Sequence, residues 1–178
     1  PRTSYTIPDG VTRVLFGSFN NCKELRSITI SDTVNDIGSG VFTGCTNLTN
    51  VSIGSGVDEI TMYAFEGCTG LKHVSIPDNV LEISNGAFLN CTGLRAISIP
   101  DSVTSVNHSA FSGCTSLTDV YYSGSEAQWQ TIEIDASNEC LTNARIHYNA
   151  RESYLRLSEA NNAITVTAVD CGEVTDAT

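Results

Sequence analysis

The sequence predicts an α/β-type solenoid, mostly β, built from coils of 23 residues. Three observations carry that expectation. Phe19, Phe42, Phe65, Phe88 and Phe111 recur every 23 residues, and Cys22, Cys45, Cys68, Cys91 and Cys114 keep the same step without an insertion. Aliphatic columns follow in phase: Leu25, Leu48, Leu71, Leu94 and Leu117, then Ile28, Val51, Val74, Ile97 and Val120, then Val34, Val57, Val80 and Val103. Within each period the text passes from polar–apolar alternation to turn-forming residues, so one period holds a short strand and its reversal.

Each element has a local reason. "TIPDGVTRV" (6–14) matches "SIPDNVLEI" (75–83), so the chain opens on half a coil. In that half-coil no polar cap of the kind terminal repeats usually need is visible, which leaves an exposed stacking end or the cut edge of a longer parent. Four complete coils run from Phe19 to Phe111, and a fifth departs after Val120. In "HVSIP" (73–77) Val74 and Ile76 alternate with polar residues, the period-2 sign of a strand with one buried face. Pro77 and Pro100 stop the strand, the following Asp supports a tight turn, "NVLEI" (79–83) sends two more apolar residues inward, and "SNGAF" (84–88) returns the chain with Phe88 in the core. No single coil can bury its own Phe, Leu and Ile; coils stacked at ~4.8 Å, the spacing of neighbouring strands, bury one another's.

After Val120 the period ends. Ser125 can cap a short helix over "EAQWQTI" (126–132), with Trp129 and Ile132 facing the last coil. A tryptophan buries roughly 200 Å², which suits a lid better than a ligand platform. "ARIHY" (144–148) reads as a final strand. The expected division is repeats over 1–124, a capping segment with Trp129 over 125–150, and a β-rich tail over 151–178, where "AITVTAV" (163–169) alternates. Two strands are too few to stand alone, so the tail is expected to open a following domain or to lean on the cap.

The formal charge is −11, from 20 acidic and 9 basic residues. Nucleic acid is an unsuitable partner, because phosphate binding needs a basic stripe that releases counterions. No run of 18 apolar residues exists, so membrane insertion by these residues is not expected. The first residue is Pro, not Met, and the chain is expected to be a fragment of a longer polypeptide.

The pattern F-x-x-C-x-x-L-x-x-[VI]-x-I-P-x-x-V-x-x-I-x-x-x-A-F, as written in 65–88 and 88–111, resembles the BspA-type leucine-rich repeat, over roughly residues 5–122. "YYSGSEAQWQTIEI" and "CLTNARIHY" are similar to the segment that often closes such arrays. The resemblance implies a right-handed solenoid with a parallel sheet on its concave side. It also implies a bacterial surface or secreted protein, extracellular in location and used for adhesion or recognition. A monomer without cofactors is expected.

Seven cysteines outside the cell would ordinarily mean disulfides. Five of them share one column, however, and equivalent side chains on stacked coils point the same way instead of at each other. Cys22, Cys45, Cys68, Cys91 and Cys114 are therefore expected to be buried and inert. An anaerobic habitat would reconcile buried thiols with an extracellular location. Only Cys140 and Cys171 remain as a pair to consider. No Cys-x-x-Cys or matching His spacing supports zinc. Asp9, Asp32, Asp78 and Asp101 form one interrupted acidic column that suits turn capping better than calcium. His73, His108 and His147 lie at unrelated repeat positions and offer no nucleophile–His–acid arrangement; nor do regular coils form the cleft a glycosidase needs. No enzyme is expected.

What such a chain can offer is the surface between its buried strand positions. One row reads Arg26, Thr49, Lys72, Arg95, Thr118; the next Ser27, Asn50, His73, Ala96, Asp119; a third Thr29, Ser52, Ser75, Ser98, Tyr121. Three bases in the first row of an acidic chain mark this as the candidate ligand face, with Arg26, Thr29, Lys72, His73, Ser75, Arg95, Ser98 and Tyr121 as its contact residues. A host extracellular protein or a glycan is the expected partner. The alternative is a structural spacer that presents a neighbouring domain, its bases serving only to solvate the sheet.

Overall fold

The computed structural model describes residues 3–150; the expected tail over 151–178, and Cys171 with it, lie outside them. Each coil contributes a longer and a shorter strand. In order these are β1 (Ser4–Thr6) and β2 (Arg13–Val14), β3 (Ser27–Thr29) and β4 (Asp36–Ile37), β5 (Asn50–Ser52) and β6 (Glu59–Ile60), β7 (His73–Ser75) and β8 (Glu82–Ile83), then β9 (Ala96–Ile99) and β10 (Ser105–Val106). The last coil gives β11 (Asp119–Tyr122), followed by α1 (Glu126–Trp129), β12 (Glu133–Ile134), α2 (Glu139–Thr142) and β13 (Arg145–His147). The pairs are parallel and in step with the repeat: Ile28 lies opposite Val51, and Val74, Ile97, Val120 and Ile146 lie in line.

The longer strands line one side of the stack as two segments, β1-β3-β5 and β7-β9-β11-β13. The shorter strands line a second side as β2-β4 and β6-β8-β10-β12. The interruptions fall around the third coil, whose Gly54-Ser55-Gly56 stands where the next coils have Pro-Asp. A Cβ at Gly54 would lie 2.4 Å from the Ser31 carbonyl oxygen, so this coil is seated closely on the one before it. The second sheet was not foreseen, because a two-residue strand is too short for alternation to register.

The third side carries the phenylalanines. Phe42, Phe65, Phe88 and Phe111 stack with centroids 5.2–5.3 Å apart, and all are buried. Their amides hold the coils together: Phe42 N donates to Ala64 O, Phe65 N to Ala87 O and Phe88 N to Ala110 O, each at 2.8–2.9 Å. Two positions per coil on this side are left-handed. One column comprises Gly17, Gly40, Tyr63, Gly86 and Ser109; the other Asn21, Gly44, Gly67, Asn90 and Gly113. A side chain there costs roughly 1–2 kcal/mol, so Gly and Asn predominate.

The thiols follow the phenyl groups. Cys45, Cys68, Cys91 and Cys114 each donate Sγ–H to the carbonyl of Phe19, Phe42, Phe65 and Phe88 in the preceding coil, at 3.0–3.1 Å. Burial pushes Cys45 up to about 11. Burial first, and then the neighbouring Cys140, push Cys114 up to about 12. Cys68 and Cys91 are also driven well above the ordinary thiol range, again chiefly by burial. Cys22 departs from the expectation: it is exposed, because no complete coil precedes it to supply a cover and an acceptor.

At either end of the described coils, residues that break the repeat cover the neighbouring core to different degrees. Tyr5 takes the inward strand position opposite Ile28, and its larger ring reaches Phe19 at 5.4 Å, edge-on at 60°. The leading half-coil thus does carry a partial cover, aromatic instead of polar. At the other end Ser125 caps α1, with its side chain and that of Gln128 exchanging bonds with each other's backbone amides, and Trp129 meets Tyr122 edge-on at 5.1 Å. Asn138, fully buried, then takes over the work of a further coil. Its Oδ1 accepts Phe111 N at 2.9 Å while Nδ2 donates to Asn107 O and Asp135 O. Ser137 Oγ similarly accepts Ser109 N at 2.6 Å, where Gly86 N has the His108 carbonyl.

Candidate recognition face

The face is built on the backbone just before each longer strand. Arg26 O accepts the amides of Thr49 and Asn50, Lys72 O those of Arg95 and Ala96, and Arg95 O those of Thr118 and Asp119, at 2.9–3.2 Å. With their main chains pinned to the next coil, the side chains of Arg26, Lys72 and Arg95 project into solvent and are exposed. Among the described residues none of the three forms an ion pair; the pairs that exist are Arg13–Asp36, His108–Asp135 and His147–Asp119.

The register aligns Ser75, Ser98, Tyr121 and His147 in one row and His73, Ala96, Asp119 and Arg145 in the next. Thr29 pairs with Ser52 in the other segment, so Arg26 and Thr29 lie across the interruption from Lys72, His73, Ser75, Arg95, Ser98 and Tyr121. Ser98 is only 7% exposed, and His73 Nε2 lies 3.2 Å from its hydroxyl. Burial holds the His73 imidazole below its usual range, favouring the neutral ring.

Sequence reasoning left His147 as an isolated imidazole, yet it organises the end of the face. It stacks on Tyr121 at 4.6 Å with 10° between the planes, and its Nε2 is 2.8 Å from Asp119 Oδ1. Burial pushes the Asp119 carboxyl up, but hydrogen bonds from His147 and Thr118, with the charges of His147 and Arg145, outweigh it and hold the group below its ordinary value. The missed signal is one of phase: His147 follows Tyr121 by 26 residues, not 23.

Charge is sorted between the two sheets. The outward positions of the second one hold Asp36 beside Arg13, then Glu59, Glu82, Ser105 and Glu133 in register. Ser84 Oγ lies 2.7 Å from Glu59 Oε1 and 2.8 Å from Glu82 Oε1, and Asn107 donates to Glu82. Four of the chain's 20 acidic residues, Asp36, Glu59, Glu82 and Glu133, thus line the second sheet, whereas Arg26, Lys72 and Arg95 adjoin the long one.

Two further features lie away from the sheet. An open hollow of about 430 Å³ at the leading end is lined by Tyr5, Phe19, Cys22 and Leu25 among others. At the cap, Ser137 Oγ and Asp135 Oδ1 both approach His108 Nδ1 at 3.3 Å, and Ser137 also donates to Asp135. A proton relay needs the acid and the hydroxyl on opposite ring nitrogens; here both share one.

A stack of parallel 23-residue coils with a phenyl spine and an open polar sheet is a leucine-rich repeat solenoid. Residues 2–118 match the model of the BspA type leucine rich repeat region in six copies, and the chain belongs to that family. A leucine rich cell surface protein from Faecalibacterium prausnitzii is 38% identical, with a TM-score of 0.74 over 76% of this chain and 36% of its own length. The chain thus spans about a third of that protein. The Treponema pallidum leucine rich repeat protein shares the fold at 24% identity, with a TM-score of 0.67 over 84% of this chain and 71% of its own. The pneumococcal vaccine antigen PcpA shares it at 18% identity, with a TM-score of 0.62 over 84% and 40%. No curated protein matches the chain. Leucine-rich repeat solenoids are generally non-enzymatic and commonly bind proteins. BspA-type repeats are extracellular or surface-associated, and no helix among the described residues is long and apolar enough to cross a membrane.

Proposed function

We propose that the chain is a non-enzymatic recognition or adhesion module, displayed at the bacterial surface or secreted, that binds a host protein or glycan through its long-sheet face. The observation that carries this reading is the gathering of Arg26, Lys72 and Arg95, without carboxylate partners among the described residues, on one side of a chain whose formal charge is −11. Family membership and the cell-surface relative from F. prausnitzii support the location. Thr29, His73, Ser75, Ser98 and Tyr121 complete the face, the aromatic ring being steadied by His147. The module is taken to act as a monomer without cofactors, with no nucleic-acid partner and no membrane insertion.

The test is retention on immobilised host-matrix proteins and an array of glycans. Reversing charge at Arg26, Lys72 and Arg95 is expected to abolish it. A second reading, a spacer that presents whatever follows residue 150, is favoured by the small, uniform row Thr29–Ser52–Ser75–Ser98. Unchanged retention of the reversed variant, or none in the parent, would decide for the spacer.

A further inference from the structure

The long sheet and the second sheet differ in sign, and that difference specifies a ligand. The carboxylate within the longer strands, Asp119, is already engaged by His147 and Thr118. Arg145, on β13 and in register with Asp119, adds a fourth base one row over, at the end of the stack. Steps between coils are ~4.8 Å, so Lys72 and Arg95 are one step apart and Arg26 precedes Lys72 by two. A single small anion reaches two of these side chains at most. An extended polyanion lying along the solenoid axis reaches all of them. The carboxylates of the opposite sheet repel such a ligand and leave the basic row as the face of approach.

The backbone of the sheet narrows the class further. A ligand that runs along the axis crosses the strands, whose amides and carbonyls are spent on neighbouring coils. An acidic peptide would normally contribute main-chain pairing at a sheet edge, and across this face it finds none. What the face offers besides cations is hydroxyl groups: those of Thr49 and Thr118, which donate to the Arg26 and Arg95 carbonyls and keep lone pairs to accept with, and the exposed Thr29 and Ser52 two rows on. These suit a polymer that carries hydroxyls along its whole length.

We infer that the ligand is a linear anionic polysaccharide, its sulfates or carboxylates seated over Arg26, Lys72, Arg95 and Arg145. This rests on the recognition reading above and names the ligand class of that face. Binding of the full chain to immobilised heparan sulfate, polygalacturonate, dextran and polyglutamate tests it. Either anionic polysaccharide is expected to retain the protein, and raising ionic strength from about 0.05 to about 0.5 M to release it. The variant Arg26→Ala/Lys72→Ala/Arg95→Ala should bind about tenfold more weakly, whereas Arg13→Ala, on the opposite sheet, should bind as the parent does. All four positions are exposed, and unchanged melting curves confirm that the variants fold. Equal or tighter binding to dextran or polyglutamate, indifference to the triple substitution, or no binding to either anionic polysaccharide overturns the inference. If a ligand from the array still depends on the three bases in that event, the recognition reading survives; if none does, both fall.

Discussion

Asn138 supplies Phe111 with what every earlier phenylalanine takes from the coil that follows it. Its Oδ1 accepts Phe111 N at 2.9 Å, matching the carbonyl of Ala110 beneath Phe88 N at 2.8 Å. A repeat that ends must leave one coil's donors unmatched, and here a side-chain amide stands in for the missing main chain.

Asn138→Ala should therefore destabilise the protein by about 2–3 kcal/mol, since it strands a buried amide and removes the donors to Asn107 and Asp135. Urea denaturation reads the loss. Hydrogen exchange localises it: protection at the Phe111 amide should fall well below that at Phe88. Equal protection at both would show that Asn138 does not act as the terminal acceptor.

Gly86 occupies a left-handed position with φ of 62°, and a Cβ there would lie 2.4 Å from Tyr63 Cε1. Gly86→Ala is expected to cost about 1–2 kcal/mol for the backbone alone, with a further loss as the ring is displaced. Removing the ring with Tyr63→Ala in the same chain should recover only that second part. A double-mutant cycle in urea measures both, and strict additivity would contradict the contact.

The phenyl spine should be most sensitive in its middle. Phe65, enclosed between Phe42 and Phe88, is 2% exposed, whereas Phe19 is only partly buried. Phe65→Ala is expected to cost about 3–5 kcal/mol, and Phe19→Ala at least about 1 kcal/mol less because less area leaves water. Equal losses would mean that Tyr5 closes the leading end as completely as a coil does.

Thiol chemistry divides the cysteine column. Under native alkylation followed by mass spectrometry Cys22 should react first, while Cys68 and Cys91 react only after unfolding. Stability should also depend on alkaline pH. The ordinary value is 9.0, and burial raises Cys45 to about 11 and Cys114 to about 12 in the folded chain. A thiol raised on folding contributes its stability in full below the unfolded value and loses it as pH climbs through the folded one. The melting temperature should accordingly fall from about pH 9 upward, and less steeply in Cys68→Ala. A flat profile would contradict the buried, neutral thiols.

Much of this architecture could be read because repetition amplifies weak signals. One Phe-x-x-Cys means little, but five at an unbroken step imply a stack whose members share a core, and the structure places Phe42 to Phe111 in single file. The candidate face was readable for the same reason: once the strand register is periodic, Arg26, Lys72 and Arg95 must fall in one row. What escaped lies where the period fails. Two-residue strands such as Glu59–Ile60 carry no alternation, so neither the second sheet nor its acidic column was visible. Asn138 and His147 stand in no repeat column, and Tyr5 stands in the aliphatic column of Ile28 and Val51 as its one aromatic member, so periodicity revealed none of their roles.

The sequence by itself determined the 23-residue coil, the identity of its buried side chains, and the polar rows left between them, because each follows from which residues recur in phase. Tertiary structure alone decided that Cys22 is open while Cys45 is sealed, that Tyr5 covers Phe19 in part while Asn138 replaces a following coil, and that Glu59, Glu82 and Glu133 line a different sheet from the one beside Arg26, Lys72 and Arg95. Burial and pairing at a given position depend on whether a neighbouring coil is present and where its groups point. A repeating text states the neighbour once for all coils and is silent about the coils that lack one.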